Sequence, residues 1–379
     1  MSETGARLDL RQVRVYPLAD RKSLTRVEEI LVDPAAAPSP LDERLSAAVD
    51  DMAAKIRAAR RRDATVMLIY GAHLLRNGAA RIVDALMAQG WLTNLATNGA
   101  GTIHDWEYAW LGRSTESVRD GVARGCFGTW DETGRNIHVA LLAAGPKAIG
   151  YGRALGQFIE EDGATLPEPA ELEDAIRREP AHRLTAARAE LLAAMRENGL
   201  PAGRYAIQHR WKEASILAAA FRRGAPISVH PGIGYDIIAT HPMFNGAAIG
   251  RAAQRDFAEF TSAVERLDGG VVLSVGSAIM GPQVFEKSLS CGNNLRLQAG
   301  RPIVAGHTIC VVDLQDGGGW DWSKGEPPKT NPAYYLRFCK SYSRMGGTMC
   351  YLQCDNLAFI HHLFHRLNRP SGAGWQPVE

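Results

Sequence analysis

A chain of 379 residues, 46% hydrophobic and 22% charged, has an ordinary globular composition and can fill one large α/β domain or two smaller ones. A formal net charge of +2 provides no strong field, which speaks against nucleic acid or an anionic membrane as partner. The longest apolar runs, such as Val271 to Val275, fall far short of the roughly 20 residues that span a bilayer.

Met1 to Arg14 alternates charge and polarity without the apolar stretch of a signal peptide. Six cysteines stand at 126, 291, 310, 339, 350 and 354, with no Cys-x-x-Cys pair and no partner set for zinc. The expectation is a reducing cytoplasm, with the thiols acting as small buried hydrophobes.

In chain order, Ala35 to Pro40 (AAAPSP) reads as a linker between an N-terminal extension, 1–40, and the body, 41–379. Leu41, Leu45, Val49, Met52 and Ile56 recur at helical spacing. Arg60 to Arg62 closes that helix with charge suited to its C-terminal dipole. Thr65 to Tyr70 is a continuous apolar run, as in buried parallel strands. It ends in Gly71-Ala72-His73 and passes to a helix near Asn77 to Gly90. A second strand, Trp91 to Thr97, ends in Asn98-Gly99-Ala100-Gly101 before another helix.

Ser114 to Gly224 reads almost wholly helical, with breaks at Asp162-Gly163 and Asn198 to Gly203, and includes a helical insertion around 157–224. Strand-then-helix order returns at Pro226 to Val229, Val271 to Val275 and Ile309 to Leu314. These end in His230 to Gly234, Gly276-Ser277 and Asp316 to Gly319. A last strand, Met349 to Leu352, ends near Asp355. Apolar strands that each end in a glycine-rich turn before a helix predict a doubly wound, mostly parallel α/β sheet with helices on both faces. Ligands of such sheets sit beyond the carboxyl ends of the strands. That rim would gather Gly71 to His73, Asn98 to Gly101, His230 to Gly234, Gly276-Ser277 and Asp316 to Gly319.

Several segments on the rim can carry chemistry. Thr97 to Asp105 (TNGAGTIHD) places Gly99 and Gly101 where backbone N–H groups approach a phosphate or cofactor at a helix start. The same glycines also serve simple chain reversal. His104-Asp105 offers a general acid/base, or a local cap or pair. His230, Asp236, His241 and His73 are read as polar residues holding a substrate rather than as metal ligands, because no tight ligand spacing is present. Asp313, Asp316, Trp320, Asp321 and Trp322 crowd one loop; acid with aromatic rings suits a cationic amine, and the same composition also fits an exposed loop with incidental tryptophans. Lys340 follows Asn331-Pro332, a helix start. It is either a solvated lysine or, among Tyr335, Leu336, Phe338, Cys339 and Tyr342, an amine that loses its proton and forms an imine.

The order of these segments resembles deoxyhypusine synthase, and more closely a bacterial group of deoxyhypusine-synthase-like proteins, over Val66 to Gly156 and Gly224 to Asn356. Thr97 to Asp105 is similar to the family's Thr-Ala-Gly-Gly turn with its following acids. Tyr235-Asp236-Ile237 is similar to its Gly-Asp-Met step, which implies a substrate-amine role for Asp236. Asp316 to Trp322 is similar to its acidic loop. Phe338-Cys339-Lys340, eleven residues before Tyr351, is similar to its catalytic-lysine helix. Gly276 to Gly281 (GSAIMG) stands where the family has Lys-His-His after a glycine turn, so the active-site histidine has no counterpart, and Phe338 replaces a tryptophan.

The resemblance implies an NAD-dependent enzyme and a homotetramer. The expected activity is hydride transfer from an amine or related polar substrate, with group transfer through a Lys340 imine. Gly71, His73, Thr97, Asn98, Gly99, Gly101, Asp105, Gly276 and Ser277 would bind NAD. Asp236, Asp316, Trp320 and Trp322 would hold substrate, and His230, His241 or His104 would move protons. Two rivals are a metal-dependent hydrolase or lyase using the His/Asp rim, and a non-catalytic nucleotide-binding protein.

Overall fold

The computed structural model describes residues 8–369; the first seven residues of the expected extension lie outside the described residues. In chain order the strands are β1 (Thr25–Arg26), β2 (Val66–Tyr70), β3 (Asn94–Asn98), β4 (Arg113–Ser114), β5 (Gly163–Leu166), β6 (Gly203–Ala206), β7 (Ile227–His230), β8 (Val271–Val275), β9 (Thr308–Asp313) and β10 (Thr348–Gln353). Six of them form one parallel sheet in the spatial order β10-β9-β8-β2-β3-β7. Ranked by chain position within the sheet, this is the doubly wound order 3-2-1-4-5-6, read from the β7 edge. The order reverses between β2 and β8.

Each central strand is buried on both faces. Val66, Leu68 and Tyr70 of β2 belong to one core and Met67 and Ile69 to another, as the period of two requires. The first core takes Val49, Met52 and Ile56 from the helix Glu43–Arg61 and Phe359, Ile360 and Leu363 from the helix Asn356–Asn368. The second takes Phe260 and Val264 from Gly246–Glu265, Phe285 from Met280–Gln298, and Phe338 and Tyr342 from Arg337–Ser343.

The middle departs from an all-helical reading at the two predicted breaks, where β5 and β6 pair antiparallel. Asp162 (φ 57°) and Gly163 (φ 119°) take the left-handed region there, which turns the chain out of its helix. Residues 8–40 are packed into the body. Leu18 is fully buried, β1 pairs with β4, and Arg21 reaches the buried Glu107. Ala35 to Pro40 is docked rather than free: His361, His362 and His365 on the last helix bond through Nε2 to the carbonyls of Pro34, Ser39 and Ala36 at 3.3, 2.5 and 2.9 Å.

Candidate functional site

The sheet register brings the ends of β2, β3 and β8 level, with Tyr70 opposite both Thr97 and Val275, and Asn98 opposite His230. Gly71, directly after β2, donates its N–H to Val275 O at 3.3 Å. A side chain there would overlap the carbonyl of Gly276, so the backbones of β2 and β8 meet at the switch point with nothing between them. Gly276 (φ 61°) donates to Val312 O at 3.0 Å, and its Cα lies against the Asn356 carboxamide. Asn356 opens the last helix and is buried, yet its Oδ1 has no partner. Ser277 Oγ accepts from Gly281 N–H at 3.2 Å.

At the end of β3, Thr97 Oγ1 donates to Tyr70 O at 3.0 Å, and Asn98 Oδ1 accepts from Gly101 N–H at 2.9 Å, capping the helix Gly99–Leu111. The Asp236 carboxylate rests on Gly99, where no side chain would fit beside it. Its Oδ2 accepts from Gly232 N–H at 2.7 Å, while Oδ1 is buried without a partner. Burial pushes the Asp236 pKa up to about 6. The glycine turn therefore does not stand open to a phosphate: Asn98 and Asp236 already occupy the helix start, and a carboxylate repels another anion.

Four expected site residues are spent on packing. Asp105 is fully buried and accepts from Ser215 Oγ and from the N–H groups of Ile216 (2.8 Å) and Leu217 (3.2 Å), which caps the helix Ile216–Arg223 instead of meeting a cofactor. His104 bonds through Nδ1 to Ser114 Oγ at 2.7 Å, and burial pushes its pKa down to about 4. His230 lies edge-on to Phe260 at 5.3 Å, bonds to Ser228 Oγ at 3.2 Å, and burial lowers it to about 4 as well. An imidazole that resists its proton so strongly is a poor general base at neutral pH. His241 stacks on His138 at 6.2 Å, accepts from Met243 N–H at 3.0 Å, and stands 3.4 Å from Asp131. Among the described residues no group of three His, Cys, Asp or Glu is placed to hold a metal ion. His73 is exposed beside Gly71, on a helix of five residues.

The loop after β9 divides. Trp322 is buried in the second core, so it packs rather than binds. Asp316 is exposed and accepts from Gly318 N–H at 2.9 Å. Trp320 is half-buried, donates to Gly325 O at 2.9 Å, and lines a cavity of about 320 Å³ with Tyr351, Gln353, Gly317 and Arg44. Lys340 points away from its apolar neighbours. Its Nζ lies 2.7 Å from Glu326 Oε1 and 3.4 Å from the centre of the Tyr334 ring. The hydrogen bond to Glu326 is the chief cause holding the Lys340 pKa above its ordinary value. That opposes imine formation, which needs the neutral amine.

The sequence reading missed a buried network. Arg21 pairs with Glu107 at 2.8 Å, Thr133 donates to the same carboxyl at 2.9 Å, and Ser114 joins Glu107 to His104. No spacing rule links position 21 to position 107. The two charges sat in view as an unexplained Arg in an extension and an unexplained Glu inside an apolar helix.

The fold and its strand ends define a doubly wound α/β protein of the Rossmann-like class, with its candidate site where the sheet order reverses. No family model and no curated protein matches the chain. Among solved structures, it is similar to a ternary complex of AgrE with ornithine and NAD+ at 14% identity and TM-score 0.41, covering 87% of this chain and 34% of that one. The apo arginine dihydrolase ArgZ of cyanobacteria matches at 12% identity, TM-score 0.41, 87% and 33%. A putative LOR/SDH protein of Methanococcus maripaludis S2 matches at 10%, TM-score 0.42, 93% and 76%. The chain spans about a third of the length of the first two, and none of the three is described as a deoxyhypusine synthase.

Proposed function

We propose that the protein is an NAD-dependent oxidoreductase acting on a small amine or related polar substrate. The carrying observation is the sheet order, with its reversal between β2 and β8 closed by Gly71 against Gly276. In sheets of this order a dinucleotide lies across that point. Two buried side-chain oxygens without donors, Asp236 Oδ1 and Asn356 Oδ1, stand along the same rim. Buried acceptors are ordinarily paired, and NAD carries hydroxyl and carboxamide donors that fit them. When bound, NAD supplies the hydride acceptor.

The chain's own residues would position and charge-match. Asn356 would orient a donor beside β8. Asp316 and the Trp320 ring would attract a cationic amine to the cavity next to Tyr351, by charge and by cation–π contact. His73, exposed beside Gly71, would be the imidazole that accepts the proton. Lys340, held charged by Glu326, favours hydride transfer without an imine, so the group-transfer step implied by deoxyhypusine synthase is not part of this reading. A homotetramer belongs to it: Ile279, Leu314 and Tyr335, in the segments after β8 and β9, are 50% exposed or more and would be covered by further copies, a point that light scattering decides. NAD should raise the melting temperature, since a ligand of the native state stabilises it by mass action. No shift at millimolar NAD, with calorimetry also silent, would sink the proposal.

A further inference from the structure

Three buried aspartates rest on the first turns of helices that are not their own. Asp105 serves Ile216–Arg223, Asp256 serves Tyr151–Glu160 through Gly152 N–H at 2.8 Å and holds Val229 N–H at 2.7 Å, and Asp236 lies on Gly99–Leu111. They are 0%, 1% and 4% exposed. The first N–H groups of a helix have no partner within it, and the first two aspartates accept them as tertiary caps, with no oxygen left unpaired in a buried position. Asp236 differs: it takes one N–H, from Gly232, and its Oδ1 is buried with no partner. A purely structural carboxylate would not leave an oxygen desolvated and unpaired.

Its place in the sheet says what the oxygen is for. Gly99 follows the last residue of β3, and β3 is the second strand of the doubly wound order. There the adenosine ribose of a dinucleotide meets an acid, ordinarily one borne by that strand's own turn. This turn offers Asn98, whose Oδ1 is already committed to Gly101 N–H. The acid arrives from the loop after β7 instead. We propose that Asp236 is the ribose acceptor of the cofactor site, its Oδ1 receiving a hydroxyl of the adenosine ribose and its charge turning away the 2′-phosphate of NADP. This rests on the NAD reading above and moves Asp236 from substrate to cofactor. Asp236 sits on a loop whose Ile233 and Tyr235 side chains are 65% and 69% exposed, so that admitting the hydroxyl needs a shift of that loop alone.

Titration calorimetry of the full chain with NAD, NADP and 2′-deoxy-NAD tests it. The expected result is that NAD binds about tenfold or more tighter than either analogue, the scale of one hydrogen bond to a charged group. Asp236→Asn keeps an oxygen for Gly232 N–H, should fold with an unchanged circular-dichroism spectrum, and should lose about tenfold of the NAD affinity while the gap to NADP narrows. Equal binding of NAD, NADP and 2′-deoxy-NAD by the wild type overturns the assignment while leaving the NAD reading intact, as does Asp236→Asn binding NAD like the wild type. If the wild type binds none of the three, the NAD reading falls and the ribose assignment falls with it. The analogue series needs no variant, so a failure of Asp236→Asn to fold does not blunt the test.

Discussion

At the scale of single residues, buried carboxylates set the response to pH. Burial is the largest cause raising Asp105 to about 7, Asp236 to about 6 and Asp256 to about 8, and the hydrogen bonds they accept, from Ser215 Oγ and from backbone N–H groups, only partly offset it. A carboxylate whose folded pKa lies above its unfolded value near 3.8 binds a proton in the native state that the unfolded chain has released. Stability therefore falls as pH rises from about 4 to 8, by about 1.4 kcal/mol per pH unit for each group within its window. Asp256→Asn keeps an oxygen for Gly152 and Val229 but cannot ionise. Its urea-unfolding free energy should differ less between pH 5 and pH 8 than that of the wild type, by up to about 4 kcal/mol. An unchanged pH slope would mean that Asp256 titrates alike in both states.

Lys340 shows why neighbours in sequence mislead. Phe338, Cys339 and Tyr342 are buried in the core, while Lys340 on the same short helix is half-buried against Glu326 and Tyr334 instead, because residues adjacent on a helix point about 100° apart. Its amine should acylate more slowly with acetic anhydride at pH 9 than the average lysine of the chain, and Glu326→Gln should speed that labelling, both read by peptide mass spectrometry. Labelling of Lys340 ahead of the other lysines would restore the imine reading.

At the scale of elements, the strand ends decide what can be bound. The run Val66–Tyr70 was legible because a strand buried on both faces has no polar alternation to hide it. The meeting of Gly71 with Gly276 was not legible, since it joins positions 205 residues apart. Gly71→Ala would set a methyl against the Gly276 carbonyl and force β2 and β8 apart. The expected cost is about 1–3 kcal/mol, the usual scale of overpacking, together with weakened NAD binding. Thermal unfolding and calorimetry of the variant check the two parts separately. A variant as stable as the wild type would show that the strand ends are free to move.

At the scale of the whole molecule, the N-terminal segment is stitched to the body by charge. Arg21 and Glu107 are both nearly inaccessible to solvent and 2.8 Å apart, and Glu107 sits below its usual carboxylate range against the pull of its own burial, chiefly because Arg21 is there. Removing one partner of a buried pair leaves the other charge uncompensated. Arg21→Ala should cost about 3–5 kcal/mol in denaturant unfolding, and the loss should be largest at neutral pH, where Glu107 is ionised. A loss below about 1 kcal/mol would place Arg21 among ordinary surface ion pairs.

The sequence alone determined the doubly wound α/β class, the order along the chain of the six strands of the main sheet and the rim on which glycine turns gather, because apolar runs and turn residues are local signals that each such strand carries within itself. Only the tertiary structure decided which polar residues face that rim. Asp105, His104, His230 and His241 look like site residues in a linear reading and are consumed by caps, stacks and buried hydrogen bonds. Asp236 and Asn356 are left with unpaired oxygens, and Arg21 finds Glu107 across 86 positions. The physical reason is that a polar side chain's role depends on the partners that burial forces upon it, and those partners come from other elements of the fold.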